Sequence, residues 1–183
     1  MKITTHLIGD TTLAYHLYPT PGRRPLSAHR ATVAALIAQM LGEGATIEHT
    51  PQGAPFVKGS KPCHISITHC DAGIAVALNT SCPVGIDMET LRPTQLRRIS
   101  GRFLSDAELK AYSSPELLLK AWTSKEAIYK AALTPGTPLT SGISLPLAPH
   151  SNTATAGTHT FHLHHLPISP TINITLAVLA IND

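Results

Sequence analysis

The spacing of hydrophobic positions changes period several times along the chain, and each change marks an element. Residues 3–18 alternate weakly through Ile3, Leu7, Leu13, Tyr15 and Leu17, with Gly9-Asp10 between, which predicts a short hairpin. The breaker-rich stretch Pro19 to Pro25 follows. From Ser27, the predicted N-cap, Val33, Leu36, Ile37, Met40 and Leu41 recur at helical spacing, and Gly42 closes the helix. Gly53 to Pro62 reads as a loop. His64 to His69 alternates, Cys70 to Gly73 turns, and Ile74 to Leu78 is apolar, a second hairpin. Val84 to Glu89 reads as a short strand, and Leu96, Ile99 and Phe103 as a helical stripe. Ser114-Pro115-Glu116 combines an N-cap, a proline at the first position and an acid in the first turn, so a helix is predicted to about Leu133 and to stop at Pro135-Gly136. Thr158–His165 and Asn173–Ile181 alternate again around Pro167–Pro170, a last hairpin. Strand, helix and hairpin occur in both halves, which predicts an α+β fold of two similar halves.

Composition narrows the class. Of 183 residues, 43% are hydrophobic and 14% charged, far from the polar, highly charged composition of disordered chains. The formal charge of +3 is too small and scattered for a protein that tracks phosphates along nucleic acid. No secretory signal is evident after Met1-Lys2, and the longest apolar run, Ile174 to Ile181, is too short to cross a bilayer. Cys63, Cys70 and Cys82 form no CxxC pair, so reduced thiols and a cytoplasmic protein are the expectation, with no membrane and no nucleic-acid partner. Charge is unevenly placed: residues 85–130 carry 14 of the 25 charged side chains. Polar chemistry is concentrated there, unless two exposed helices simply lie in that stretch.

Two clusters in that stretch carry candidate chemistry. In Gly85-Ile86-Asp87-Met88-Glu89, an extended strand sets Asp87 and Glu89 on one face, roughly 6.6 Å apart, close enough to converge on one hard cation. D-x-E also occurs by chance on exposed strands. In Trp122-Thr-Ser-Lys125-Glu126-Ala-Ile-Tyr129-Lys130, helical spacing sets Glu126 on the stripe of Leu118, Trp122 and Tyr129. Lys130, four residues on, is either its ordinary helix partner or, with Lys125, one of two cations beside a phosphate. Three carboxylates beside two lysines suit Mg²⁺ on a diphosphate better than zinc, which prefers His and Cys.

These two segments, in this order, resemble the 4′-phosphopantetheinyl transferase superfamily, in its Sfp-type branch that includes holo-acyl-carrier-protein synthases. The family pattern G-[IV]-D-x-E, F…E and W-x-x-K-E-A/S-x-x-K stands here as GIDME (85–89), FLSDAE (103–108) and WTSKEAIYK (122–130). Upstream, AHR (28–30), GAPF (53–56) and ISITHC (65–70) are similar to further family segments, although Ala54 and Cys70 depart from them. The resemblance implies a pseudo-dimer with its site between the halves: residues 1–83 on the side of the coenzyme A 3′-phosphate, residues 84–183 with the metal and catalytic motifs. It implies transfer of the 4′-phosphopantetheine arm of coenzyme A to a serine of an apo acyl or peptidyl carrier protein, releasing adenosine 3′,5′-bisphosphate. Asp87, Glu89 and Glu126 would hold Mg²⁺, Lys125 and Lys130 would neutralise phosphate oxygens, and Arg30, Thr68 and His69 would contact the 3′-phosphate. Glu108 or Glu126 would take the serine proton, with Glu126, Lys130 and Glu108 forming the catalytic set.

Simpler readings stand beside these. Glu108 follows Ser105 by three, a capping box; His69 is equally a turn residue; and the five tail histidines (His150, His159, His162, His164, His165) have no acidic neighbour and read as surface. A Mg²⁺-dependent phosphoesterase and a non-catalytic module that binds coenzyme A or a carrier protein are the competing functions. Arg92, Arg97, Arg98 and Arg102 are the expected docking face for an acidic carrier helix.

Overall fold

The computed structural model describes residues 1–134 and 136–181. Strands β1 (Thr4–Ile8), β2 (Thr11–Leu17), β5 (His64–Cys70) and β6 (Gly73–Asn79) form one antiparallel sheet in the order β1-β2-β6-β5. Helix α1 (Leu26–Leu41) and a two-stranded hairpin, β3 (Thr46–His49) with β4 (Pro55–Lys58), lie between β2 and β5 in the chain. The second sheet has the order β7-β11-β10-β9-β8, built from β7 (Val84–Thr90), β8 (Ile143–Ser144), β9 (Thr153–Ala156), β10 (His159–Ser169) and β11 (Ile172–Leu179). Between β7 and β8 run α2 (Pro93–Ile99), a 3₁₀ turn at Ser100–Arg102, α3 (Asp106–Ala111), α4 (Pro115–Ala132) and α5 (Leu139–Gly142). The architecture is a mixed α and β fold, as the alternation of periods predicts.

Strand parity explains the layering. On β6, Ile74, Val76 and Leu78 pack on Leu36 and Ile37 of α1, while Ala75 and Ala77 face the other way. There they meet Val84, Ile86 and Met88 of β7 and Ile174 and Leu176 of β11, a core lying between the two sheets. The alternate residues of β7 therefore face α4, and at Gly85 that helix comes too close to leave room for a side chain. A Cβ at Gly85 would overlap the Ala127 carbonyl oxygen and crowd Ala131 N at 2.7 Å. The sheets also meet edge to edge. The outward amides of β7 find no partner strand; Ile86 N donates to Ser66 Oγ (3.0 Å) and Met88 N to Thr68 Oγ1 (3.2 Å) of β5. Side-chain hydroxyls thus stitch the edges where a backbone ladder would otherwise run.

Several boundaries differ from expectation for identifiable reasons. Helix α1 starts at Leu26 with Pro25 as its N-cap and no side-chain cap, so Ser27 lies inside it. The β3–β4 hairpin falls on part of the expected loop, because its four-residue, half-exposed strands are too short to show a period. The helical stripe is broken, with Leu96 and Ile99 on α2 and Phe103 just after the 3₁₀ turn, yet Leu96 and Phe103 share one core. Strand β10 runs on through Pro167 to Ser169 with an irregularity in register, which moves the turn past the expected Pro167. Helix α4 begins as predicted, with Ser114 Oγ accepting from Leu117 N, and ends on Leu133 in left-handed conformation (φ 49°); the predicted stop at Pro135 lies outside the described residues.

The close approach at Gly85 gives a test. Replacing Gly85 by Ala should cost about 1–3 kcal/mol, the usual range for overpacking a filled core. Urea unfolding should show a lower midpoint at unchanged slope, and an unchanged midpoint would mean that α4 is not held against β7 at this point.

Candidate active site

The face of β7 that carries Gly85 also carries Asp87 and Glu89, and α4 crosses it. The missing side chain at Gly85 lets Ala127 approach, and that brings Glu126 and Lys130, on either side of Ala127, to the level of Asp87. Asp87 is 8% exposed, and its carboxylate needs partners. Lys130 Nζ donates to Asp87 Oδ1 at 2.8 Å and to Ile86 O at 3.0 Å, and Thr68 Oγ1 donates to the same Oδ1 at 3.1 Å. Burial still outweighs this cation and the hydroxyl donor and pushes the Asp87 carboxyl above the ordinary range. Glu126 is half-buried and makes no ion pair among the described residues, because Lys130 has turned to Asp87. Burial and then the Asp87 charge raise its carboxyl too, partly offset by Lys130. The ordinary Glu126–Lys130 helix pair is therefore not formed. Glu89 Oε1 accepts from Thr90 N (2.8 Å) and Thr90 Oγ1 (3.2 Å), with Arg92 at 3.8 Å.

The donor set fits a hard divalent cation. Asp87 and Glu126 are neighbouring carboxylates whose ionised forms are opposed by burial and like charge, the condition that such an ion relieves. Glu89 is the third oxygen donor on the same strand face, at present turned toward Thr90. As the side chains stand, no three His, Cys, Asp or Glu among the described residues gather closely enough to enclose a metal. The histidine-rich strand adds none: His162 is exposed, and the Nδ1 of His165 is held by Thr175 Oγ1 at 3.0 Å.

Lys125 and Glu108, expected at the site, are elsewhere. Lys125 is fully buried and projects from the other side of α4. Its ammonium donates to Glu108 (2.9–3.0 Å), to Leu139 O (2.9 Å) and to Ile143 O, which uses all three hydrogens. Glu108 also accepts from Ser105 N (2.8 Å) in the capping box and from Leu145 N (2.7 Å). The pair ties α3, α4 and the segment 139–145 together, and neither residue has a proton or a lone pair to offer a substrate. Burial lowers the Lys125 ammonium, and Glu108 opposes that. Thr68 is likewise committed: its single hydrogen goes to Asp87, so it holds that carboxylate instead of reaching a phosphate.

Arg30 and His69 do come together. They line a cleft of about 730 Å³ between α1, the β3–β4 hairpin and β5. His29, beside Arg30, brings its ring to 4.5 Å from that of His69, and Tyr18 stacks on His29 at 6.5 Å with Arg24 over the Tyr18 ring at 4.9 Å. Burial, His29 and Lys130 all lower the His69 imidazole. A second cleft of about 750 Å³ shares Gly53, Pro55 and Ile67 with the first and reaches Lys130 across the junction of the two sheets. The stacked side chains were not legible beforehand, since aromatic contacts between residues 18, 29 and 69 leave no local pattern.

A family model of the 4′-phosphopantetheinyl transferase superfamily matches residues 83–176, just over half of the chain. The chain belongs to that superfamily, whose members transfer phosphopantetheine from coenzyme A to carrier proteins and typically use Mg²⁺. The matched stretch contains Asp87, Glu89, Glu108, Lys125, Glu126 and Lys130; Arg30, Thr68 and His69 precede it. A search of curated proteins finds no match to the chain. No described helix is long and apolar enough to cross a membrane.

The placement of Lys125 is testable. Removing one partner of a buried pair leaves the other charge uncompensated, so Lys125→Met should cost about 3–5 kcal/mol in thermal or urea unfolding. A variant of unchanged stability that lost only activity would return Lys125 to the site.

Proposed function

We propose that the chain is an Sfp-type 4′-phosphopantetheinyl transferase that works as a holo-acyl-carrier-protein synthase in the cytoplasm. In this reading residues 1–83 and 84–183 are the two related halves of a pseudo-dimer, with the site at their junction. The observation that carries the proposal is the unpaired, half-buried Glu126 beside the Asp87–Lys130 pair, inside the segment that the superfamily shares.

Coenzyme A would lie along the two joined clefts, its 3′-phosphate at Arg30 and His69 and its diphosphate toward Lys130 and the carboxylates. Asp87, Glu89 and Glu126 would hold Mg²⁺, which supplies charge neutralisation on the diphosphate when bound. Lys130 is poised to leave Asp87 for a phosphate oxygen, since a cation at the carboxylates would replace it there. The carrier's serine oxygen forms a bond to the β-phosphorus as the bond from that phosphorus to the bridging oxygen breaks. Adenosine 3′,5′-bisphosphate leaves with the electron pair. The serine proton passes to Glu126, directly or through a water. Glu108 has no part in this step. The phosphoesterase reading loses its candidate base for the same reason, because Glu108 is consumed by Lys125, Ser105 and Leu145. Arg97, Arg98 and Arg102 are exposed on α2 and the turn after it, a face suited to an acidic carrier helix, whereas Arg92 is tied to Asp71 at 3.0 Å.

The test is to mix the protein with coenzyme A, Mg²⁺ and an apo carrier and weigh the carrier for the added arm. Glu126→Gln should lower transfer by orders of magnitude. It should leave the melting temperature equal or higher, because a folded-state carboxyl raised above its unfolded value destabilises the fold once ionised. Near-normal transfer by Glu126→Gln would overturn the site assignment.

A further inference from the structure

Beneath the carboxylates lies a buried polar cluster that the proposed reaction does not use. On β11, Asn173 stands opposite Glu89 and Thr175 opposite Asp87 in the strand register, so both side chains share the α4-facing side with the carboxylates. Directly opposed residues of antiparallel strands have Cβ atoms about 4.5–5.5 Å apart. Thr123 of α4, one turn before Glu126, comes down onto them. Thr123 and Thr175 are both fully buried, and their hydroxyls meet at 2.7 Å. Asn173 Nδ2 donates to Thr123 Oγ1 (2.8 Å) and to Thr175 Oγ1 (3.0 Å), and His165 Nδ1 meets Thr175 Oγ1 at 3.0 Å.

Hydrogen accounting orients the amide. Thr123 spends its hydrogen on the Leu119 or Lys120 carbonyl of its own helix. Thr175 then donates to Thr123, and both oxygens have lone pairs left for the two Asn173 hydrogens. His165 stays neutral, its pKa pushed down to about 3 by burial and then Lys120, so it completes the cluster as a donor from Nδ1 without adding charge. Both amide hydrogens of Asn173 are consumed below, which turns its Oδ1 the other way. Among the described residues that oxygen has no hydrogen-bond partner and is not sealed from solvent, on a side chain that stands opposite Glu89 in the register. The result is a neutral acceptor opposite Glu89, fixed from beneath by two threonines, one of which, Thr123, lies one helical turn before Glu126.

We infer that Asn173 is a further catalytic residue of this site: its Oδ1 accepts a hydrogen bond from the hydroxyl of the attacking serine and aims that oxygen's lone pairs at phosphorus. The inference rests on the transferase reading above. Phosphoryl transfer depends mainly on positioning, so a fixed neutral acceptor is useful even though it takes no proton itself. As the oxygen–phosphorus bond forms, the hydroxyl turns its single hydrogen from Asn173 Oδ1 to Glu126, which takes the proton, while Thr123 and Thr175 act through Asn173 as positioning residues.

The experiment compares Asn173→Ala with Phe161→Leu, a change in the apolar core at a position paired with Leu179 in the strand register, using saturating coenzyme A, Mg²⁺ and apo carrier. Asn173→Ala should lower kcat about 100-fold, with KM for coenzyme A within about twofold and a Kd for coenzyme A, measured calorimetrically, equally unchanged. Phe161→Leu should lose stability but keep kcat. If Asn173→Ala keeps near-normal kcat, or loses activity only in step with stability as Phe161→Leu does, the inference is overturned and the transferase reading stands. If wild-type protein transfers nothing to any apo carrier, both fall.

Discussion

A carboxylate held almost out of solvent on the edge strand of a sheet is the constraint around which this protein is arranged. Asp87 is ionised only at a cost, and that cost is offset by Thr68 from the first sheet and Lys130 from α4, while Glu126 on the open side adds a like charge. None of these residues is a neighbour of Asp87 in sequence. Each is delivered by a different packing decision, the hydroxyl stitch between β5 and β7, the crossing of α4 at Gly85, and the alternation that turns Val84, Ile86 and Met88 toward the inter-sheet core. The two sheets must therefore be in register for the site to exist, and a first-half residue, Thr68, holds a second-half functional group.

The two ion pairs of α4 divide its labour. Lys125 and Glu108 are dry, fully satisfied and tied to α3 and the chain after α5, so they fix where the helix lies. Lys130 is partly open, and the carboxylate oxygen it holds is shared with a threonine. Lysines five residues apart on one helix thus serve opposite sides, one locking the frame and one partly open beside Asp87. The buried hydroxyls of Thr123 and Thr175 add a third fixed layer from the far strand.

Much of this was legible in the residues. The helix at Ser114-Pro115-Glu116, the β5–β6 hairpin and the strand bearing Asp87 and Glu89 follow from local caps and periods, and the shared face of the two carboxylates follows from parity alone. The order of GIDME and WTSKEAIYK pointed to the family that the comparison shows. The roles of Lys125, Glu108 and Thr68 were not legible, because nothing in W-x-x-K-E says which lysine faces the sheet and which the opposite core. That depends on how α4 is rotated, and the rotation is set by a glycine forty residues away. Asn173 was invisible for a related reason: a polar residue at the start of an apolar strand reads as a boundary until its cross-strand partner is known.

The central claim, that the first sheet positions the carboxylate of the second through one hydroxyl, is tested most directly by a double-mutant cycle on Thr68→Val and Asp87→Asn. Urea midpoints and divalent-dependent coenzyme A affinity would be read for both single variants and the double. Direct contact predicts a coupling of about 0.5–3 kcal/mol in each measurement, with the second substitution costing little once the first is present. Strict additivity in both would contradict the account and separate the two sheets' contributions to the site.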